Sequence, residues 1–154
     1  MRSLFIMLIV SLISFTACSD DKNNSNPIEP PPNNQSALSG TWNDSTSVNE
    51  NNTTRKFSLT LMLTESNGSI SGNFSAEHVT TNNSGSILRE GSSGTITGGT
   101  LVGKVVTILC SDFVSISGEI DDSNSNEIKS IATVSIPKLD STYTYIYELT
   151  LEKK

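Results

Sequence analysis

Few residues in this 154-residue chain are of types that do chemistry, and their spacing narrows the options further. There is one histidine, His78. A zinc site gathers three or four ligands, and the nearest candidate partner, Glu77, points to the opposite face of an extended strand. His78 therefore reads as an exposed histidine at a strand end. A Ser–His or Cys–His nucleophile pair would have to be built on His78, and an exposed strand-end histidine does not point to one. Cys110 closes an apolar run and reads as a small core residue; a reactive thiol needs a cationic neighbour, and Lys104 is the closest base in sequence. Asp121-Asp122-Ser123-Asn124-Ser125-Asn126-Glu127 sets oxygen ligands at alternate places, as a calcium loop begins. That loop also needs glycine at its sixth place and glutamate at its twelfth, where Ala132 or Thr133 stands instead, so a hairpin turn is expected. Glu119 and Glu148 are the carboxylates that could form a hydrolytic pair, but nothing in their spacing brings them together. The sequence designates no catalytic residue, no metal ligand and no cofactor, and it names no ligand-binding residue.

Strands must position whatever chemistry there is. Phe57, Leu59, Leu61 and Leu63 alternate with Ser58, Thr60 and Thr64, the period of a half-buried strand. Asn67-Gly68 follows, a dipeptide suited to the positive φ angles of a type I′ turn, and the alternation resumes at Ile70, Gly72, Phe74 and Ala76. Two strands alone leave an apolar face wet, so the rest of the chain must cover it. Residues 43–55 and 79–86 read as polar loops, the latter around Asn82-Asn83-Ser84-Gly85. A weak strand is expected at Ile87-Leu88, a clearer one at 94–97, a turn at Gly98-Gly99 and one long β-branched strand over 100–110. Val114, Ile116, Gly118 and Ile120 alternate; 121–126 is a turn; 128–136 is a strand ended by Pro137, which cannot donate to a ladder. Tyr143, Tyr145, Tyr147, Leu149 and Leu151 alternate to the C-terminus. No helical periodicity appears. The expectation is an all-β domain over 38–154, an antiparallel up-and-down barrel of about eight strands closed by 143–152 against 38–44, with a β-sandwich as the alternative. The inward set is nearly all apolar, which favours a filled interior with recognition in the loops at 43–55 and 79–86.

Composition sets further bounds. Ser, Thr and Asn number 26, 17 and 15, while charged residues make up only 17 %. Hydroxyl residues interleaved with Val, Ile, Leu and Phe suit strands with one wet face. The net charge of −6 and the lack of a basic stripe exclude nucleic acid as a partner.

The first residues carry the address. Arg2 precedes an apolar run over 4–15, too short to span a bilayer as a helix. It ends in Phe15-Thr16-Ala17-Cys18. This resembles the lipobox of bacterial lipoproteins, with Phe15 where leucine is usual. The resemblance implies a signal peptide over 1–17 and acylation of Cys18, which becomes the N-terminal residue and anchors the chain in the outer membrane. An ordinary secretory signal cut near Ala17, or an uncleaved anchor, is the other reading. Residues 18–37 then form the anchor and an Asn- and Pro-rich tether. Ser19-Asp20-Asp21 resembles the acidic export signal of Bacteroidetes surface lipoproteins; surface-exposed and periplasm-facing display both stay open. Asp44-Ser45-Thr46 and Asp140-Ser141-Thr142 resemble the O-glycosylation acceptor of the same group, and both fall in expected loops.

Leu38-Ser39-Gly40-Thr41-Trp42 resembles the opening of the calycin barrels, the lipocalins and avidin-like proteins. The resemblance implies that Trp42 plugs a closed barrel end, with Gly40 letting the strand bend. Other lipocalin marks, a Thr-Asp-Tyr turn and a late arginine packed on the tryptophan, have no counterpart in the sequence. The functional expectation is a membrane-anchored, non-enzymatic binding or structural module of the cell envelope. Its partners would be the membrane, through the lipid, and a protein, glycan or small apolar ligand of unknown identity. The alternative is an envelope hydrolase or enzyme-inhibitor accessory protein on the same barrel.

Overall fold

A computed structural model describes residues 36–154. Cys18, the signal peptide and most of the tether lie outside the described residues.

The described chain is built of strands. β1 (Gly40–Glu50), β2 (Thr53–Ser66) and β3 (Ser69–Asn82) form a meander. The β2–β3 turn is Asn67-Gly68, with φ of 53° and 79°, the two positive values that a type I′ hairpin demands. A second turn of this kind joins β1 to β2: Asn51 and Asn52 have φ of 47° and 64°. The expected loop over 43–55 is thus two strand ends and a tight turn, and β1 pairs with β2 along its whole length. Its polar residues obscured it, because backbone pairing rather than an apolar face holds this half of the strand. The loop at 79–86 shrinks likewise, since β3 runs on to Asn82.

β4 (Ile87–Thr95) and β5 (Gly98–Val102) follow one another along the outer edge of β3. Between the pairs Asn73–Thr95 and Ser69–Thr100, four steps on β3 face five on the other side, the count of a β-bulge. Gly98-Gly99 therefore belongs to a strand and does not turn the chain. The turn comes at Gly103-Lys104, which divides the expected strand over 100–110 into β5 and β6 (Val105–Leu109). Gly103 has φ of 62°, as glycine at the first central place of a type II′ turn does. β-branched residues on both sides of it made the run look continuous. β7 (Val114–Ile120), β8 (Glu127–Pro137) and β9 (Thr142–Lys153) complete the order, near their expected bounds.

Consecutive strands are ladder neighbours except β4 and β5, which both pair with β3, and β9 returns to β1 through Trp42–Lys153 and Asn43–Glu152. The result is a closed, barrel-like ring of one antiparallel sheet rather than a two-sheet sandwich. β4 and β5 share one place in it, so nine strands occupy eight positions. Phe57, Leu59, Leu61, Leu63, Ile70, Phe74, Ile116, Val134, Tyr147 and Leu149 are all buried inside, as their alternation requires; Ile120, at a strand end, is half-buried.

Leu38 and Trp42, at the start of the ring's first strand, are both fully buried. The Trp42 indole Nε1 donates to the Leu38 carbonyl at 2.7 Å. Lys153 lies over the indole at 5.7 Å and donates to the Ala37 carbonyl at 2.7 Å. A late cation does therefore pack on the tryptophan, although no arginine does. It is a lysine on the last strand, and a cation over an indole face is attracted by the ring quadrupole.

Candidate functional site

Within the ring lies a polar cluster, and His78 is at its centre. The side chain is fully buried rather than exposed. On β3 it has the same parity as Phe74 and Ala76, so the strand aims it inward two residues past the last apolar one. Its Nε2 lies 2.7 Å from the Tyr147 hydroxyl, and its ring stacks on Tyr145 at 4.7 Å. Tyr147 also stacks on Phe57 at 5.1 Å. Arg55 covers the far face of this column, 5.2 Å from the Tyr145 ring, and is held by Glu50 at 2.6 Å. Nδ1 of His78 is buried without a hydrogen-bond partner, with the Glu90 carboxylate 3.9 Å away. Glu90 is instead held by Lys138 at 2.6 Å.

These neighbours set the protonation states. Burial lowers the His78 pKa; Glu90 raises it, and Arg55 and Lys138 lower it further. The imidazole is thus kept neutral at pH 7. Burial pushes the Tyr147 phenol up to about 12, so the Tyr147–His78 contact is a hydrogen bond between uncharged groups. Such a pair can orient a polar group at the mouth of the ring or hold a proton there.

Beside this cluster the wall of the ring divides. At one end Thr97 donates through its backbone N–H and its hydroxyl to the Leu109 carbonyl, both at 2.9 Å. Beyond that point β4 and the β6–β7 connection separate, because the chain turns away after Leu109. At the other end the Lys138–Glu90 ion pair ties the β8–β9 turn to β4. Between these ties lies a cleft of about 530 Å³, lined by Gly91 and Ser92 of β4 and, opposite, by Phe113, Ser135, Pro137 and Thr142.

The other sequence candidates do not converge here. Glu119 and Glu148 are exposed on the outer wall, with Lys129 opposite the first and Ile131 opposite the second, and both line one open groove there together with Asp44 and Lys129. Cys110 is fully buried, and burial raises its thiol pKa to about 12; Lys104 pairs with Asp122 instead. Asp121 accepts from the Ser123 backbone and hydroxyl and pairs with Lys129 at 2.5 Å, the expected turn. These donors hold its carboxyl well below the usual carboxylate range. Asp44-Ser45-Thr46 lies in β1 rather than in a loop, and the Asp44 carboxylate accepts from the Thr150 N–H at 2.7 Å. Asp140-Ser141 does lie in an exposed connection. Among the described residues no group of three His, Cys, Asp or Glu could hold a metal, and no helix is long and apolar enough to cross a membrane.

Comparison with protein families, with characterised proteins and with solved structures finds no match.

Proposed function

We propose that this chain is a lipid-anchored, non-enzymatic binding or structural module of the bacterial cell envelope, held at the outer membrane by acyl chains on Cys18. The observation that carries this is the N-terminal sequence: a positive residue, a short apolar run, a small residue and then cysteine, followed by a polar, Pro-rich stretch leading into the folded ring. At roughly 0.8 kcal/mol per buried CH₂, two or three acyl chains suffice for stable anchoring. The buried pair of Leu38 and Trp42, with Lys153 laid over the indole, supports a calycin-like reading of the ring. The filled interior supports binding at the wall or rim rather than enclosure of a ligand.

Labelling with radioactive palmitate and fractionation test the anchor. The wild-type chain should take up label and sediment with membranes. Cys18→Ala should lose the label and appear in the soluble fraction. A Cys18→Ala chain that stays with the membrane as before removes the lipoprotein reading.

A further inference from the structure

Every strand of the ring has ladder partners on both sides except β4, which among the described residues is paired only with β3. Its second edge faces the cleft between the Thr97–Leu109 bonds and the Lys138–Glu90 ion pair. From this vacancy we infer that the cleft binds an extended peptide segment of a partner protein, which adds to β4 as the missing strand.

The chemistry of the edge selects that occupant. A strand edge presents N–H and C=O groups in one line, and another extended backbone satisfies them in register. The place is that of a strand because β6 stops at Leu109; had it continued, it would lie alongside β4. From Glu90 to Thr97 the edge is roughly 20 Å long at ~3.3 Å per residue, room for about six residues. Opposite stand Phe113, which is half-buried, and Pro137, with the hydroxyls of Ser135 and Thr142. The fitting segment therefore alternates an apolar residue, toward Phe113 and Pro137, with small hydroxyl residues. Glu90 is neutralised by Lys138, whereas Asp112 on the far wall is exposed, which disfavours acidic segments.

The inference deepens the binding-module reading and rests on it, but binding is measured on the purified chain whether or not Cys18 is acylated, so the two can fail separately. The probe is a pooled library of eight-residue peptides alternating Ser or Thr with randomised apolar residues, offered to the full-length chain in dodecyl maltoside. A selected peptide is remade in two forms, N-methylated at alternate residues in either phase. Only every second amide of an added strand faces its partner. One phase should therefore lose affinity at least tenfold and the other keep it. Hydrogen exchange of those 88–95 amides that face away from β3 should be fast in the chain alone and slow by about tenfold with peptide bound, while Phe113→Ala weakens binding with the fold intact by circular dichroism. Four results overturn the inference: no library member binds at 1 mM; both methylated forms bind alike; 88–95 is already protected in a concentration-dependent dimer, which makes a second copy the occupant; or it is protected until residues 19–35 are deleted, which makes the tether the occupant.

Discussion

His78 Nε2 and the Tyr147 hydroxyl meet at 2.7 Å inside the ring, joining β3 to β9 across 69 positions of sequence. The two strands are not ladder neighbours, so this bond crosses the interior rather than running around the wall. Tyr147→Phe leaves a buried imidazole nitrogen without a partner, which costs roughly 1–3 kcal/mol. His78→Leu leaves the Tyr147 hydroxyl in the same position. The double variant removes both groups and should be less destabilised than the sum of the singles. Urea unfolding of all four chains measures the coupling, and strict additivity would show that the bond contributes nothing.

The same histidine gives stability a pH dependence. Its pKa is lowered in the folded state, by burial first and by Arg55 and Lys138 next, against the opposing pull of Glu90; Tyr145 and Tyr147 also face it but are uncharged. The unfolded chain therefore binds a proton more readily than the folded one. This contribution is present above the unfolded value near 6.5 and is lost as pH falls below it toward the folded pKa. The carboxylates of Glu65 and Asp121 are held below their ordinary values, and their contributions are lost only at more acidic pH. Between pH 7.5 and 5.5 the melting temperature of the wild-type chain should fall. In the His78→Leu, Tyr147→Phe variant it should be nearly flat; an equal slope in both chains would assign the dependence elsewhere.

Most of the ring could be read in the sequence because period-two alternation and Asn-Gly turn chemistry act locally. Leu59, Leu61 and Phe74 declared their face from their neighbours alone. His78 was misread although its parity with Phe74 and Ala76 was visible. A polar residue at a strand end is ordinarily wet, and what buries this one is Tyr145 and Tyr147, far along the chain. Arg55 and Phe57 share a face in the same way, as do Tyr145 and Tyr147. The inward polar cluster was thus the continuation of three apolar alternations past their apolar part. The cleft beside β4 could not be read at all. It depends on where β6 ends relative to β4, a matter of register between strands whose sequences are silent about each other.

Two glycines should respond very differently to alanine. Gly103 has φ of +62° with open space where a Cβ would stand, so Gly103→Ala should cost on the order of 1 kcal/mol, the backbone penalty alone. Gly72 has φ of +143° and an added Cβ would lie 1.9 Å from the Met62 carbonyl oxygen. No side-chain rotation relieves contact with backbone, so β2 must shift. Gly72→Ala should cost more than about 3 kcal/mol, strain and overpacking together. Thermal unfolding of the two variants decides the matter, and equal losses would mean that β2 yields freely at Met62.

The last test concerns closure. β9 supplies Tyr147, Leu149 and Leu151 to the interior, each at most 3 % exposed. It pairs with β8 from Glu127–Glu152 to Pro137–Thr142 and closes the ring on β1 at Trp42 and Asn43. At about 1.5–3 kcal/mol for each buried side chain, the three alone contribute roughly 5–9 kcal/mol. That is comparable with the whole stability of a small domain, about 5–15 kcal/mol. Deleting residues 145–154 also exposes an edge of β8, uncovers Trp42 by removing Lys153, and leaves His78 without Tyr147. No other strand replaces any of these, because each remaining neighbour is already in place. The truncated chain should therefore lack a cooperative melting transition by circular dichroism. An unchanged melting temperature would mean that the sheet is stable open and that β9 is an appendage to it.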